Sequence, residues 1–137
     1  MIVSFVMTKK VFKVRMDDTI GIIREILDNA NFHHLLVVEG NKVVGVISDR
    51  DVLKAISPFI GTLSEHTHDL VTLNKKAHQI MNHKPITVFK YTSLKAAATI
   101  MLNNNISCLP VVSLEDEVEG IVTWKDILRY YIKDNEE

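Results

Sequence analysis

The chain holds one cysteine in 137 residues, Cys108. A lone thiol excludes an intramolecular disulfide and fits a reducing compartment. An excess of one charge is missing too. Sixteen Lys and Arg against 17 Asp and Glu leave a formal net charge of −1, without the basic surplus that a polynucleotide-binding surface carries. No apolar run approaches membrane-spanning length. The opening Met1-Ile2-Val3-Ser4-Phe5-Val6-Met7 is apolar but has no basic stretch before it and no small-residue cleavage site, so it does not read as a secretion signal. The sequence also lacks a nucleophile–base pair, a glycine-rich phosphate loop and a carboxylate dyad. These absences set the expectation of a soluble, cytoplasmic, non-catalytic protein without membrane or nucleic-acid partners. Apolar residues make up 47% of the chain, enough to fill the core of one compact domain or of two small units sharing one.

What the chain has is an internal duplication. Gly45-Val46-Ile47-Ser48-Asp49-Arg50-Asp51-Val52-Leu53 recurs as Gly120-Ile121-Val122-Thr123-Trp124-Lys125-Asp126-Ile127-Leu128. The shared pattern is a glycine, two aliphatics, a hydroxyl, two variable residues, an aspartate and two more aliphatics. Upstream, Leu35-Leu36-Val37-Val38 lies over Leu109-Pro110-Val111-Val112, and Val6 to Val14 lies over Ile80 to Val88. The offset is 74 up to the paired valines and 75 after them, the extra residue falling where a turn absorbs it.

Each copy reads as strand, helix, strand, strand, helix. Val11 to Val14 forms a short strand. Asp18 or Thr19 caps a helix with apolar positions 20, 23, 26 and 27, and Ser93 caps its counterpart from Leu94 to Leu102. The helices stop at Asn29-Ala30-Asn31 and Asn103-Asn104-Asn105, where asparagine tolerates the left-handed conformation. Leu35–Val38 and Val43–Ile47 pair as a hairpin through Glu39-Gly40-Asn41-Lys42, and Ser48 opens the second helix. The expected limits are 6–56 for the first repeat and 80–132 for the second. Residues 57–79 link them, with Leu70, Leu73, Ala77 and Ile80 marking a connecting helix. The acidic tail Asp134-Asn135-Glu136-Glu137 frays. One copy, at about 50 residues, buries too little surface to be comfortably stable alone. Its apolar strands need cover on both faces. The expected fold is therefore α/β (α+β): two β-α-β-β-α repeats packed as one pseudo-twofold module with two equivalent clefts.

The order of these elements, the Met-x-x-x-x-Ile-x-Val start of the second copy, Leu-Pro-Val-Val and the doubled Gly-h-h-[Ser/Thr]-x-x-Asp (h, aliphatic) resemble CBS domains, named after cystathionine β-synthase. Two in tandem cover nearly the whole chain. The resemblance implies a non-catalytic regulatory module that binds adenosine-type ligands (AMP, ADP, ATP or S-adenosylmethionine, with AMP or ATP foremost) in clefts between the repeats, with no obligatory cofactor. It implies that the aspartate holds the ribose hydroxyls, that the hydroxyl three residues earlier meets the α-phosphate, and that adenine packs on the first strand and lead-in of the opposite repeat. Carried over, one cleft joins Ser48 and Asp51 with Lys84, Pro85, Ile86 and Ser107. The other joins Thr123 and Asp126 with Lys10, Val11 and Phe12. His33-His34 stand where the family often has a His-Arg pair near phosphate, while the second copy departs with Ser107-Cys108. The resemblance further implies a homodimer through the terminal helices (Val52, Leu53, Ile56; Ile127, Leu128, Tyr131). The chain length offers no effector domain, so the signal is expected to act in trans or through assembly, on an effector protein that the sequence does not identify.

The residues themselves allow two roles. A carboxylate accepts hydrogen bonds from two vicinal hydroxyls at once, and a helix start offers free N–H groups to phosphate. Yet Ser-x-x-Asp and Thr-x-x-Asp are also capping boxes that need no ligand. Adjacent residues on a strand face opposite ways, so only one of His33 and His34 points at a given cleft. There it either bonds phosphate, which makes affinity pH-dependent, or is a half-exposed residue at the strand start. Lys9, Lys10, Arg50, Lys84 and Lys125 are phosphate cations or solvated surface. Trp124 stacks on a base or packs at a dimer face. Cys108 reads as a small buried apolar residue. His66, His68, His78 and His83 match no closed zinc spacing, so no metal site is expected. A ligand-independent structural dimerisation module is the alternative reading.

Overall fold

The computed structural model describes residues 1–30 and 32–134. Asn31, part of the expected first helix stop, and the tail residues Asn135, Glu136 and Glu137 lie outside the described residues. The chain is mixed α/β, as expected, and forms two compact units. One comprises residues 12–40 and 44–84; the other comprises 1–11, 41–43 and 85–137.

In the unit of 12–40 and 44–84, β1 (Lys13–Arg15) pairs parallel with β2 (His34–Glu39), Val14 opposite Val37. The crossover between them is α1 (Ile20–Ala30). Ile20, Ile23 and Leu27 recur at helical spacing and are buried, as the periodicity requires. Gly40, at φ 65°, turns the chain into β3 (Lys42–Ser48). Helix α2 (Asp49–Ala55) follows. Strand β4 (Asn82–His83) adds antiparallel to β3, giving the order β1-β2-β3-β4. The core gathers Val14, Ile20, Ile23, Leu27, Leu35, Val37, Ile47, Val52, Ala77 and Met81.

The expected single connecting helix is broken. Helix α3 (Thr67–Val71) passes into a 3-10 turn (Thr72–Asn74), and α4 (Ala77–Ile80) follows after an extended step at Lys75 and Lys76. The extension has a cause. Lys75 C=O accepts from Ile20 N–H at 2.8 Å, and Asp18 C=O accepts from Ala77 N–H at 2.8 Å. This segment is spent on pairing with the start of α1, so helical spacing cannot be continued through it.

The other unit repeats the scheme with α5 (Leu94–Asn104), β5 (Cys108–Val112), β6 (Val118–Thr123) and α6 (Trp124–Asp134). Ser93 Oγ accepts from Ala96 N–H, and Asn105 ends α5 at φ 53°, in the left-handed region that asparagine tolerates. The first strand, however, shrinks to one bridge, Val88 to Val111. In the first repeat, Leu36 N–H donates to Phe12 C=O at 3.1 Å. The residue aligned with Leu36 is Pro110, which has no N–H to give to Ile86. The ladder therefore begins later and stays short.

The first eleven residues fall in the compact unit that holds the body of the second repeat. Val3 N–H bonds Thr92 C=O and Leu94 N–H bonds Met1 C=O, at 2.8 and 3.0 Å. At an offset of 74 these are the Lys75–Ala77 bonds described above. The internal correspondence thus runs back to Met1 and Lys75. In each unit, a lead-in from one repeat (residues 1–11 or 75–84) packs on the body of the other. Val3 and Ala77, both fully buried, fill equivalent places.

Candidate functional site

Each unit carries one hydroxyl–aspartate pair at the start of a helix, beside a lead-in. In the first, Ser48 and Asp51 form a complete capping box on α2. Ser48 N–H donates to Asp51 Oδ2 at 2.8 Å, and Asp51 N–H donates to Ser48 Oγ at 3.1 Å. Among the described residues, Asp51 Oδ1 has no partner. Next to the pair, His33 Nδ1 lies 2.8 Å from Asp49 Oδ2, and Asp49 N–H donates to His33 C=O at 2.9 Å. Burial pushes the Asp49 carboxyl up, but the His33 bond, the Arg50 N–H and the charges of His33 and His34 together hold it below its ordinary value. Lys84 closes the lead-in at φ 49°.

In the second unit, Thr123 N–H and Oγ1–H both donate to Asp126 Oδ2, at 2.9 and 3.1 Å. Asp126 is only 7% exposed. Its other oxygen is covered: Thr8 Oγ1–H points at Oδ1 from 3.3 Å, and an Arg129 guanidinium nitrogen lies 3.5 Å away. Trp124 N–H donates to Ser107 C=O at 3.0 Å, the backbone bond equivalent to His33–Asp49. The side chains there differ completely, since Trp124 replaces Asp49. Trp124 is 47% exposed, with the Lys125 ammonium 5.9 Å from the centre of its ring.

The structure brings Ser48, Asp51, His33, His34, Lys84 and Phe12 into one unit, and Thr123, Asp126, Lys10, Val11, Pro85, Ile86 and Ser107 into the other. Phe12 packs edge-on to Phe32 at 4.9 Å against its own unit's core. Val52 and Ile127, expected on a dimer face, are buried in the two cores instead. Ile56 is half-buried against the first core, while Leu53, Leu128 and Tyr131 remain exposed, as does Ile132.

Four residues were not singled out by sequence: Asp49, Thr8, Arg129 and Asp69. The signal for Thr8 was available, because the offset of 74 sets it against Asn82 in the lead-in of the second copy. Asp69 is a buried linker carboxylate. It accepts from Ser57 Oγ–H at 2.7 Å and from His66 N–H at 2.8 Å, and these bonds draw it below the usual carboxylate range although burial opposes them. His66 and His68 stack beside it. Among the described residues, no three His, Cys, Asp or Glu side chains gather as metal ligands. An open groove of about 390 Å³ along α1, lined by Thr19, Arg24, Asp28 and Leu73 among others, includes none of the expected site residues. No helix of the described residues is long and apolar enough to cross a membrane.

The doubled hydroxyl–aspartate helix start, each beside a lead-in, coincides with two matches to the family model of the CBS domain, at residues 3–58 and 77–133. The chain belongs to the CBS domain family. A CBS domain-containing protein of Dictyostelium discoideum is 31% identical over 134 residues, covering 96% of this chain and 92% of its own. Among solved structures, the CBS domain pair of protein MJ0100, in complex with 5′-methylthioadenosine and S-adenosyl-L-methionine, is 28% identical. It covers 98% of both chains with a TM-score of 0.82. CBSX2, a CBS-pair protein from Arabidopsis thaliana, in complex with AMP, is 26% identical at a TM-score of 0.81, covering 98% of both chains.

Proposed function

We propose that this CBS pair is a non-catalytic regulatory module that binds an adenosine-type ligand, AMP or ATP before ADP or S-adenosylmethionine, and reports its level to an effector protein. The observation that carries this reading is the pair of carboxylates, Asp51 and Asp126, each set at a helix start beside a lead-in, in a chain similar to proteins solved with AMP and with adenosyl compounds. Each carboxylate would take the ribose diol. Ser48 and Thr123, with the N–H groups behind them, would meet phosphate, aided by His33 or His34 and by Lys10 or Lys84. Val11, Phe12, Pro85, Ile86 and Ser107 would contact the base. Binding would shift the population of conformers that the effector recognises. The exposed apolar residues of α2 and α6 would pair two copies, and the setting would be cytoplasmic.

Isothermal titration with AMP, ADP, ATP and S-adenosylmethionine tests the reading. Binding below millimolar concentration is expected, with Asp51→Ala and Asp126→Ala each removing one site. Silence at millimolar ligand refutes it. One observation favours the alternative, a ligand-independent dimerisation module: both aspartates already serve as helix caps. A stable dimer whose melting temperature no adenosine ligand moves would establish that reading instead.

A further inference from the structure

We propose that Thr8 is a latch on Asp126, so that the two adenosine sites are unequal and the one at Asp51 fills first. This rests on the ribose role given above to the two aspartates. A ribose diol needs a carboxylate oxygen that faces outward. In both repeats the inner oxygen, Oδ2, is tied to the backbone N–H of the capping residue, at 2.8 Å in Ser48 and 2.9 Å in Thr123. The difference lies at Oδ1. Asp51 Oδ1 has no protein partner among the described residues. Asp126 Oδ1 is met by the Thr8 hydroxyl at 3.3 Å and by Arg129 at 3.5 Å, and the residue is buried.

The repeat supplies its own control. Thr8 bridges to Ile121, and the aligned Asn82 pairs with Val46, the residue aligned with Ile121. The backbones are therefore equivalent, and only the side chain changes. Asn82 is exposed and makes no side-chain bond to Asp51. Arg129 likewise aligns with Lys54, which makes no ion pair among the described residues. Both contacts on Asp126 are long for hydrogen bonds, so ligand can displace them, at a loss of affinity.

The test is AMP titration of the full chain by calorimetry, comparing wild type with Thr8→Val, Arg129→Gln and Asn82→Thr, each first shown to be folded by circular dichroism. Thr8→Val should tighten the weaker site about two- to tenfold, the range one hydrogen bond spans. If wild type shows a single site, Thr8→Val should reveal the second. Asn82→Thr should weaken the stronger site, and Asp126→Ala should delete only the weaker one. Arg129→Gln, at an exposed position, should move affinity as Thr8→Val does and keeps the test open if Thr8→Val does not fold. Two equal sites in wild type, or a weaker site left unchanged or loosened by Thr8→Val and Arg129→Gln, would overturn the latch while leaving nucleotide binding intact. No AMP binding by any variant would overturn both.

Discussion

Gly45 and Gly120 open the repeated signature, and neither needs glycine for its backbone angle, since positive φ among the glycines is confined to Gly40 and Gly61. They need it for space. A Cβ on Gly45 would sit 2.8 Å from Met81 Cγ, and one on Gly120 would sit 2.8 Å from the Thr8 carbonyl oxygen. Both obstacles belong to lead-ins. The duplication made the glycines conspicuous in sequence, but their reason was hidden, because nothing local says that a chain 36 or 112 residues away crosses over them. Alanine at either position should destabilise by about 1–3 kcal/mol, as overpacking does, read from urea unfolding midpoints. The two differ in what relieves them. Met81→Ala should recover part of the loss in Gly45→Ala, because the obstacle is a side chain. Met7→Ala should recover little in Gly120→Ala, because the obstacle is backbone held by the Thr8–Ile121 bonds. Equal rescue would contradict the assignment.

Elements were legible where their cause is local. Ser48, Ser93 and Thr123 announced helix starts because a capping hydroxyl acts within three residues. The connecting helix and the first strand of the second repeat were misread because distant partners decide them: Asp18 and Ile20 for Lys75 to Ala77, and Pro110 for Val88. Between strand β2 and helix α2, the His33–Asp49 pair joins two elements and should respond to acid. Asp49 has a lowered pKa in the folded chain, so its contribution is fully present above the ordinary carboxylate range and is lost as pH falls through the folded value. Both side chains are about half exposed, which limits the contribution to less than about 1 kcal/mol. Asp49→Asn should therefore be slightly less stable than wild type at neutral pH, and the gap should close on acidification below pH of about 4. A gap that widens in acid would show that the pair is not what Asp49 contributes.

At the scale of the molecule, the chain passes between its two units after residues 11, 40, 43 and 84. Self-similarity of the sequence found both repeats but could not tell which body each lead-in serves, since a buried face reads the same whatever covers it. Cutting the exposed stretch around Leu63 should consequently not release two independent domains. Residues 1–62 supply 1–11 and 41–43 to one unit and most of the other, while 64–137 supply the remainder of both. The nicked protein should elute from gel filtration at the intact size without denaturant. Separate elution of the fragments would contradict the exchange.

That exchange bears on ancestry. A single repeat of this design lacks the segment that covers its own signature glycine and fills the place of Val3 or Ala77. A chain of one repeat could complete itself only by trading lead-ins with a second chain, as a domain-swapped pair. Duplication with a connector through residues 57–74 turns that bimolecular trade into an intramolecular one, at the high effective concentration a short tether gives. Once joined, the two halves no longer had to be identical. Thr8 and Asn82, or Trp124 and Asp49, were then able to diverge without either fold losing its partner.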